Sequence, residues 1–172
     1  MKIINHTSIP TEELKAIVKW ACPDGLCLNL IGTIEFVNSN RFNGFARNSD
    51  GKVRVYVPAY TRLKRPEKWG GHGGYLKHTY FTWEEILLGI TAHELRHLWQ
   101  FKKNLTRATG GGWIKWQTKP ESEWSLYKGV KKIRRYNLGT KGKLIEVDAT
   151  LYEIRRVREY RRSNLSFIKT KQ

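Results

Sequence analysis

Long apolar runs are missing from this chain. No stretch approaches the ~18 consecutive apolar residues that a membrane-spanning helix needs. Residues 1 to 15 lack the apolar core of a secretory signal, so the expectation is a cytoplasmic protein with no membrane association. Cysteine is scarce as well: Cys22 and Cys27 are the only two, too few for a disulfide framework or a four-cysteine zinc site, and both are expected to be reduced and structural. Acidic side chains are the third shortage, with 15 Asp and Glu against 32 Lys and Arg and a net charge of +17. The imbalance is uneven. Residues 102 to 172 hold 19 basic against 6 acidic side chains, +13, and residues 1 to 101 hold 13 against 9, +4. A polyanion, most simply nucleic acid, would be attracted mainly by the C-terminal half, although a merely solubilising surface has the same composition.

What is present otherwise suits one globular domain over residues 1 to 172, with 40% hydrophobic and 27% charged residues. Met1 to Ile4 is a short apolar lead, a strand or a tail. After Pro10, Leu14, Ile17, Val18 and Ala21 follow the i, i+3, i+4, i+7 spacing of an amphipathic helix over Thr11 to Cys22. Three strand candidates come next, at Leu28 to Val37, Gly44 to Arg47 and Lys52 to Pro58, and Ile34, Phe36, Val53, Val55 and Val57 alternate with polar partners. Asn48-Ser49-Asp50-Gly51 is a hairpin turn signal, and Pro58 suggests that Val53 to Val57 is an edge strand. Tyr60 to Thr79 reads as an irregular glycine-rich loop containing His72 and His78. Asn104 to Gly142 reads as a long connection, so that about residues 103 to 142 form a basic, aromatic-rich insertion with Trp113, Trp116, Trp124, Tyr127 and Tyr136. Leu144 to about Arg162 reads as the last long helix.

The most specific segment is Thr91-Ala92-His93-Glu94-Leu95-Arg96-His97-Leu98-Trp99-Gln100. Thr82 and Glu85 form a capping box that opens a helix-compatible run as far as Phe101, with Ile86, Leu87, Ile90, Leu98 and Phe101 on its apolar face and Gly89 leaving room one turn before His93. On a helix His93 and His97 lie about 400° apart, so both imidazoles project from one side roughly 6 Å apart along the axis. Two ligands of a tetrahedral metal site fit that spacing. Glu94 lies about 100° round from His93, where a carboxylate reaches a metal-bound water without being a ligand.

Two histidines do not hold a catalytic zinc, so a third protein ligand is required. The astacin and matrix-protease signature wants Gly and His where this chain has Gln100 and Lys103. Glu146-Val147-Asp148-Ala149-Thr150 instead resembles the ligand-helix segment of gluzincin-type metallopeptidases, both the membrane-bound HtpX group and the soluble ImmA/IrrE group. That resemblance implies His93, His97 and Glu146 as zinc ligands, Glu94 as general base and Ala149 as a small packing residue. Thr150 falls where those families often carry Asp or Asn, which leaves open what orients the ligand histidine. Asp148 is the rival ligand, since residues 146 and 148 point about 200° apart on a helix and only one can face the metal. Cys27 resembles the ligand cysteine of peptide deformylases only poorly.

The implied fold is α+β, a minimal zincin-like domain whose small three-stranded sheet packs on the His-Glu-x-x-His helix and a C-terminal ligand helix. The implied function is a zinc-dependent metallopeptidase in which Glu94 takes the proton of a zinc-acidified water that attacks a peptide carbonyl of a polypeptide substrate. A substrate of this class lies along an edge strand. The competing expectation is a basic nucleic-acid-binding protein on the same scaffold, with structural zinc or none.

Overall fold

The computed structural model describes residues 1–23, 29, 31–40, 43–47, 50–57, 67–69, 78–102, 106–109, 115–118 and 141–169. The architecture is α+β, with a small mixed sheet and three helices among the described residues. Strands β1 (Lys2–His6), β2 (Thr33–Asn38), β3 (Asn43–Arg47) and β4 (Lys52–Val57) form one sheet in the order β1-β2-β4-β3. Helix α1 (Thr11–Ala21) connects β1 to β2, which run parallel, as do β2 and β4, while β3 is antiparallel to β4. The sheet therefore has four strands rather than three, because the apolar lead pairs fully with β2. Val53 to Val57 is not an edge strand: β4 lies between β2 and β3, and the edges are β1 and β3.

Alternation in β2 and β4 does mark one buried face. Ile34, Phe36, Val53, Val55 and Val57 are buried, while Glu35, Lys52 and Arg54 on the other face form an ion-pair cluster. The β3–β4 turn follows the sequence signal: Gly51 has φ of 61°, and the Asp50 carboxylate accepts from the Lys52 amide and pairs with Arg47. Leu14, Ile17, Val18 and Ala21 of α1 are all buried against this core.

Helix α2 (Trp83–Lys102) runs through the centre. Thr82 accepts the Glu85 amide at 3.3 Å as the cap requires, but Glu85 reaches back to the Phe81 amide, one residue earlier than a capping box predicts, and is also clamped by Arg161. Residues from Glu85 to Arg96 are buried all round, because the sheet, α1 and helix α3 (Lys141–Lys169) enclose α2 from different sides. Phe101, expected on the apolar face, is 37% exposed. Helix α3 is longer at both ends than Leu144 to Arg162. Two short hairpins stand in stretches expected to be irregular: β5 (Glu67–Trp69) with β6 (His78–Tyr80), and β7 (Thr106–Thr109) with β8 (Lys115–Thr118). Among the described residues no helix is long and apolar enough to cross a membrane.

Candidate metal centre

The central helix carries polar side chains where an ordinary core would have none. Thr91, His93, Glu94, Arg96 and Gln100 are all buried, and burying each is costly unless its hydrogen bonds are met. Helix α3 meets most of that need. Packed along α2, it brings Glu146 opposite the histidines, with Glu146 Oε2 at 3.2 Å from His93 Nε2 and Oε1 at 3.6 Å from His97 Nε2. The imidazole centroids are 4.8 Å apart and the rings are turned 78° to each other. Zinc bonds to nitrogen and oxygen of about 2.0–2.1 Å place tetrahedral ligands about 3.4 Å from one another. Both observed separations straddle that value, and among the described residues His93, His97 and Glu146 form a group that could hold a metal ion.

The outer nitrogens fix which atoms point inward. His93 Nδ1 lies 3.1 Å from Glu153 Oε2, and a carboxylate can only accept, so Nδ1 carries the proton. His97 Nδ1 lies 2.9 Å from Gln100 Oε1 and donates to it in the same way, while Gln100 Nε2 donates to Asp148 Oδ2 at 2.9 Å. Each Nε2 then presents a lone pair toward an anionic carboxylate. Three electron-rich atoms converge only where a cation joins them, be it a proton or a metal. Burial works against a charge on His93, yet its bonds to Glu146 and Glu153 and the charges of Glu94 and Glu153 outweigh it and push the imidazole up to about 10.

No protein-family model, curated protein or solved structure matches this chain. Its chemistry has to be read from its own side chains.

Glu94 sits directly under the edge strand β3. A Cβ added at Gly44 would lie 2.7 Å from Glu94 Cγ and 3.0 Å from its Oε1, so glycine there is what lets the carboxylate fit beneath the strand. Burial raises the Glu94 carboxyl, His93 pulls it back, and the charges of Glu146 and Glu153 raise it again, to about 8.

Asp148, the rival ligand, faces elsewhere. It takes a two-point bond from Arg96, 2.8 Å from Nε and 3.2 Å from the terminal nitrogen, beside the bond from Gln100. Arg96 in turn stacks 3.6 Å from the Trp99 ring centroid, so the acid serves to hold α2 against α3 and to steady Gln100. Thr150 orients nothing: its hydroxyl is buried without a hydrogen-bond partner. Glu153 fills that role instead, a residue the motif comparison passes over although it lies seven positions after Glu146, within about 20° of the same helix face. Gly89 does not open space for the site itself. It makes room for Tyr80, whose hydroxyl would lie 2.4 Å from an added Cβ and which donates to Glu153 Oε1. Cys27, His72, Tyr127 and Tyr136 lie outside the described residues, as does the side chain of His78.

Proposed function

We propose that this protein is a zinc-dependent metallopeptidase on a zincin-like core, with His93, His97 and Glu146 as ligands and Glu94 as general base. The observation that carries the reading is the convergence of both Nε2 atoms on the Glu146 carboxylate, in a group that could hold a metal ion, with a second carboxylate, Glu94, beside them. A purely structural site has no use for Glu94. Zinc held there supplies a Lewis acid that acidifies water from 15.7 toward about 7 and polarises a carbonyl. The chain does the rest. The edge of β3 offers backbone groups along which a polypeptide adds as a further strand, and Gly44 lets that strand's backbone lie directly over Glu94. Glu94 accepts the proton of the attacking water at its carboxylate and passes it to the departing amide nitrogen. His93 and His97 keep their Nδ1 protons throughout, bound to Glu153 and Gln100.

The direct test is Glu94→Gln. The variant should keep its zinc and lose hydrolysis of an unfolded protein substrate by several orders of magnitude, since the base is removed and no ligand is touched. Equal hydrolysis in wild type and variant removes Glu94 from the mechanism.

A second reading, nucleic-acid binding on the same scaffold, draws on Arg155, Arg158 and Arg162, which are exposed on α3 at helical i, i+3, i+7 spacing. Single-stranded nucleic acid should then bind with a steep negative salt dependence, flattened when the three arginines are replaced together. No binding at low salt leaves the basic half as a solvated surface.

A further inference from the structure

Glu153 is wholly buried, and so is Tyr80. A carboxylate at such depth is expensive to desolvate and is kept where its oxygens are spoken for by groups that need it. One oxygen accepts the Nδ1 proton of His93 at 3.1 Å and the other accepts the Tyr80 hydroxyl. Three separate elements converge on this arrangement. Helix α3 supplies Glu153, strand β6 supplies Tyr80, and α2 supplies both His93 and Gly89, whose missing side chain is the space that Tyr80 occupies. Arg161 fastens the same strand by binding the Thr79 carbonyl and the Glu85 carboxylate. Meanwhile Thr150, one turn after Glu146, carries a hydroxyl with no partner.

The two histidines are thus supported unequally. His97 leans on a neutral amide, Gln100, while His93 leans on a carboxylate. We propose that Glu153, itself held by the Tyr80 hydroxyl, is the positioning residue of this metal centre: it fixes the His93 tautomer, aims Nε2 at the metal, and by its charge makes His93 the stronger nitrogen donor of the two. This rests on the metal-site reading above. Carboxylates that support a ligand imidazole typically contribute 10- to 100-fold in metal affinity, with the charged acceptor above the neutral one.

The test uses the full-length protein with zinc alone and, separately, cobalt(II) alone. Zinc affinity is measured by competition with a chromophoric chelator for wild type, Glu153→Gln and Tyr80→Phe, with circular dichroism as the folding check. Glu153→Gln keeps an acceptor for the Nδ1 proton and removes the charge, so zinc should bind about 10- to 100-fold more weakly. The visible cobalt absorption should shift, which a role confined to packing would not cause. Tyr80→Phe should move both readouts the same way by less than about tenfold, because the carboxylate remains but is less firmly held. Should Glu153→Gln fail to fold, Tyr80→Phe decides alone, being nearly isosteric. Wild-type affinity and an unchanged cobalt spectrum in the folded variants overturn the proposal while leaving the metal site intact. Failure of the wild type itself to bind either metal overturns the metal-site reading and this proposal with it.

Discussion

Replacing Gly89 with alanine sets two expectations of opposite sign against each other. In the interior of an ordinary helix the change stabilises by about 1 kcal/mol, because glycine gives up more backbone freedom on folding. Here the new methyl would sit 2.4 Å from Tyr80 Oη, 2.9 Å from Cε1 and 3.0 Å from Cζ. The tyrosine is completely buried and tied to Glu153, so it has nowhere to retreat. Overpacking of this kind costs about 1–3 kcal/mol, and pushing the hydroxyl off its carboxylate adds roughly 1.5–3 kcal/mol for a hydrogen bond to a charged group. Set against the helix gain, the net is a loss of about 1.5–5 kcal/mol, or a fall in melting temperature of roughly 3–20 °C for a chain of this size. Urea unfolding of Gly89→Ala, Tyr80→Phe and the double variant measures it. In the double variant the worst contact is gone, so the two losses should be markedly less than additive. Stabilisation of Gly89→Ala by about 1 kcal/mol, as its helix propensity alone dictates, would show that Tyr80 does not lie against that helix face and refute the reasoning.

Two further outcomes follow from the same geometry. Gly44→Ala places a methyl against Glu94 Cγ, and since roughly 1 Å of misplacement costs on the order of 10²-fold, proteolysis should fall by about that factor with zinc content unchanged; an unaffected rate would free Glu94 from the strand above it. The second concerns pH. His93 in the metal-free protein has its pKa raised from 6.5 to about 10 and Glu94 from 4.5 to about 8, so each adds stability below its unfolded value that is lost as pH rises through the folded one. Metal-free protein should therefore lose stability between pH 6 and pH 9 while zinc affinity climbs, the metal no longer having to displace a proton; metal-free stability that rises over this window contradicts both assignments.

The parts of this fold that were legible from sequence are those set by short-range periodicity. The 3.6-residue spacing of Leu14, Ile17, Val18 and Ala21 located α1, and the two-residue alternation of Val53, Val55 and Val57 identified the buried face of β4. That alternation cannot distinguish an edge from an interior strand, because an interior strand in a sheet with one open face shows the same pattern. Strand order is a long-range property, and here β4 inserts between β2 and β3. Proline 58 marks where a strand stops and carries no information about its neighbours. At the site, His93, Glu94 and His97 stand out through a local motif and Glu146 through the resemblance of its segment to a ligand helix, while the opposite directions of residues two apart on a helix show only that Glu146 and Asp148 cannot both face the metal. The supporting residues were harder. Gln100 stands one turn from His97, but the sequence pattern marks it only as a departure from the astacin and matrix-protease signature. Glu153 was recoverable from its seven-residue spacing to Glu146, but Tyr80 was not: nothing local links a strand residue to a helix seventy-three positions away.

The central claim is that Glu146 completes a zinc site with His93 and His97, and the measurement closest to it is zinc content after dialysis against a mild chelator. Wild type, Glu146→Gln and Asp148→Asn would be compared, each checked for folding by circular dichroism. The account predicts about one zinc per chain in wild type, sharp loss in Glu146→Gln, where the anionic oxygen is gone, and retention in Asp148→Asn, whose carboxylate is committed to Arg96 and Gln100. Zinc lost from Asp148→Asn and kept in Glu146→Gln, or no zinc bound by the wild type at all, would contradict it.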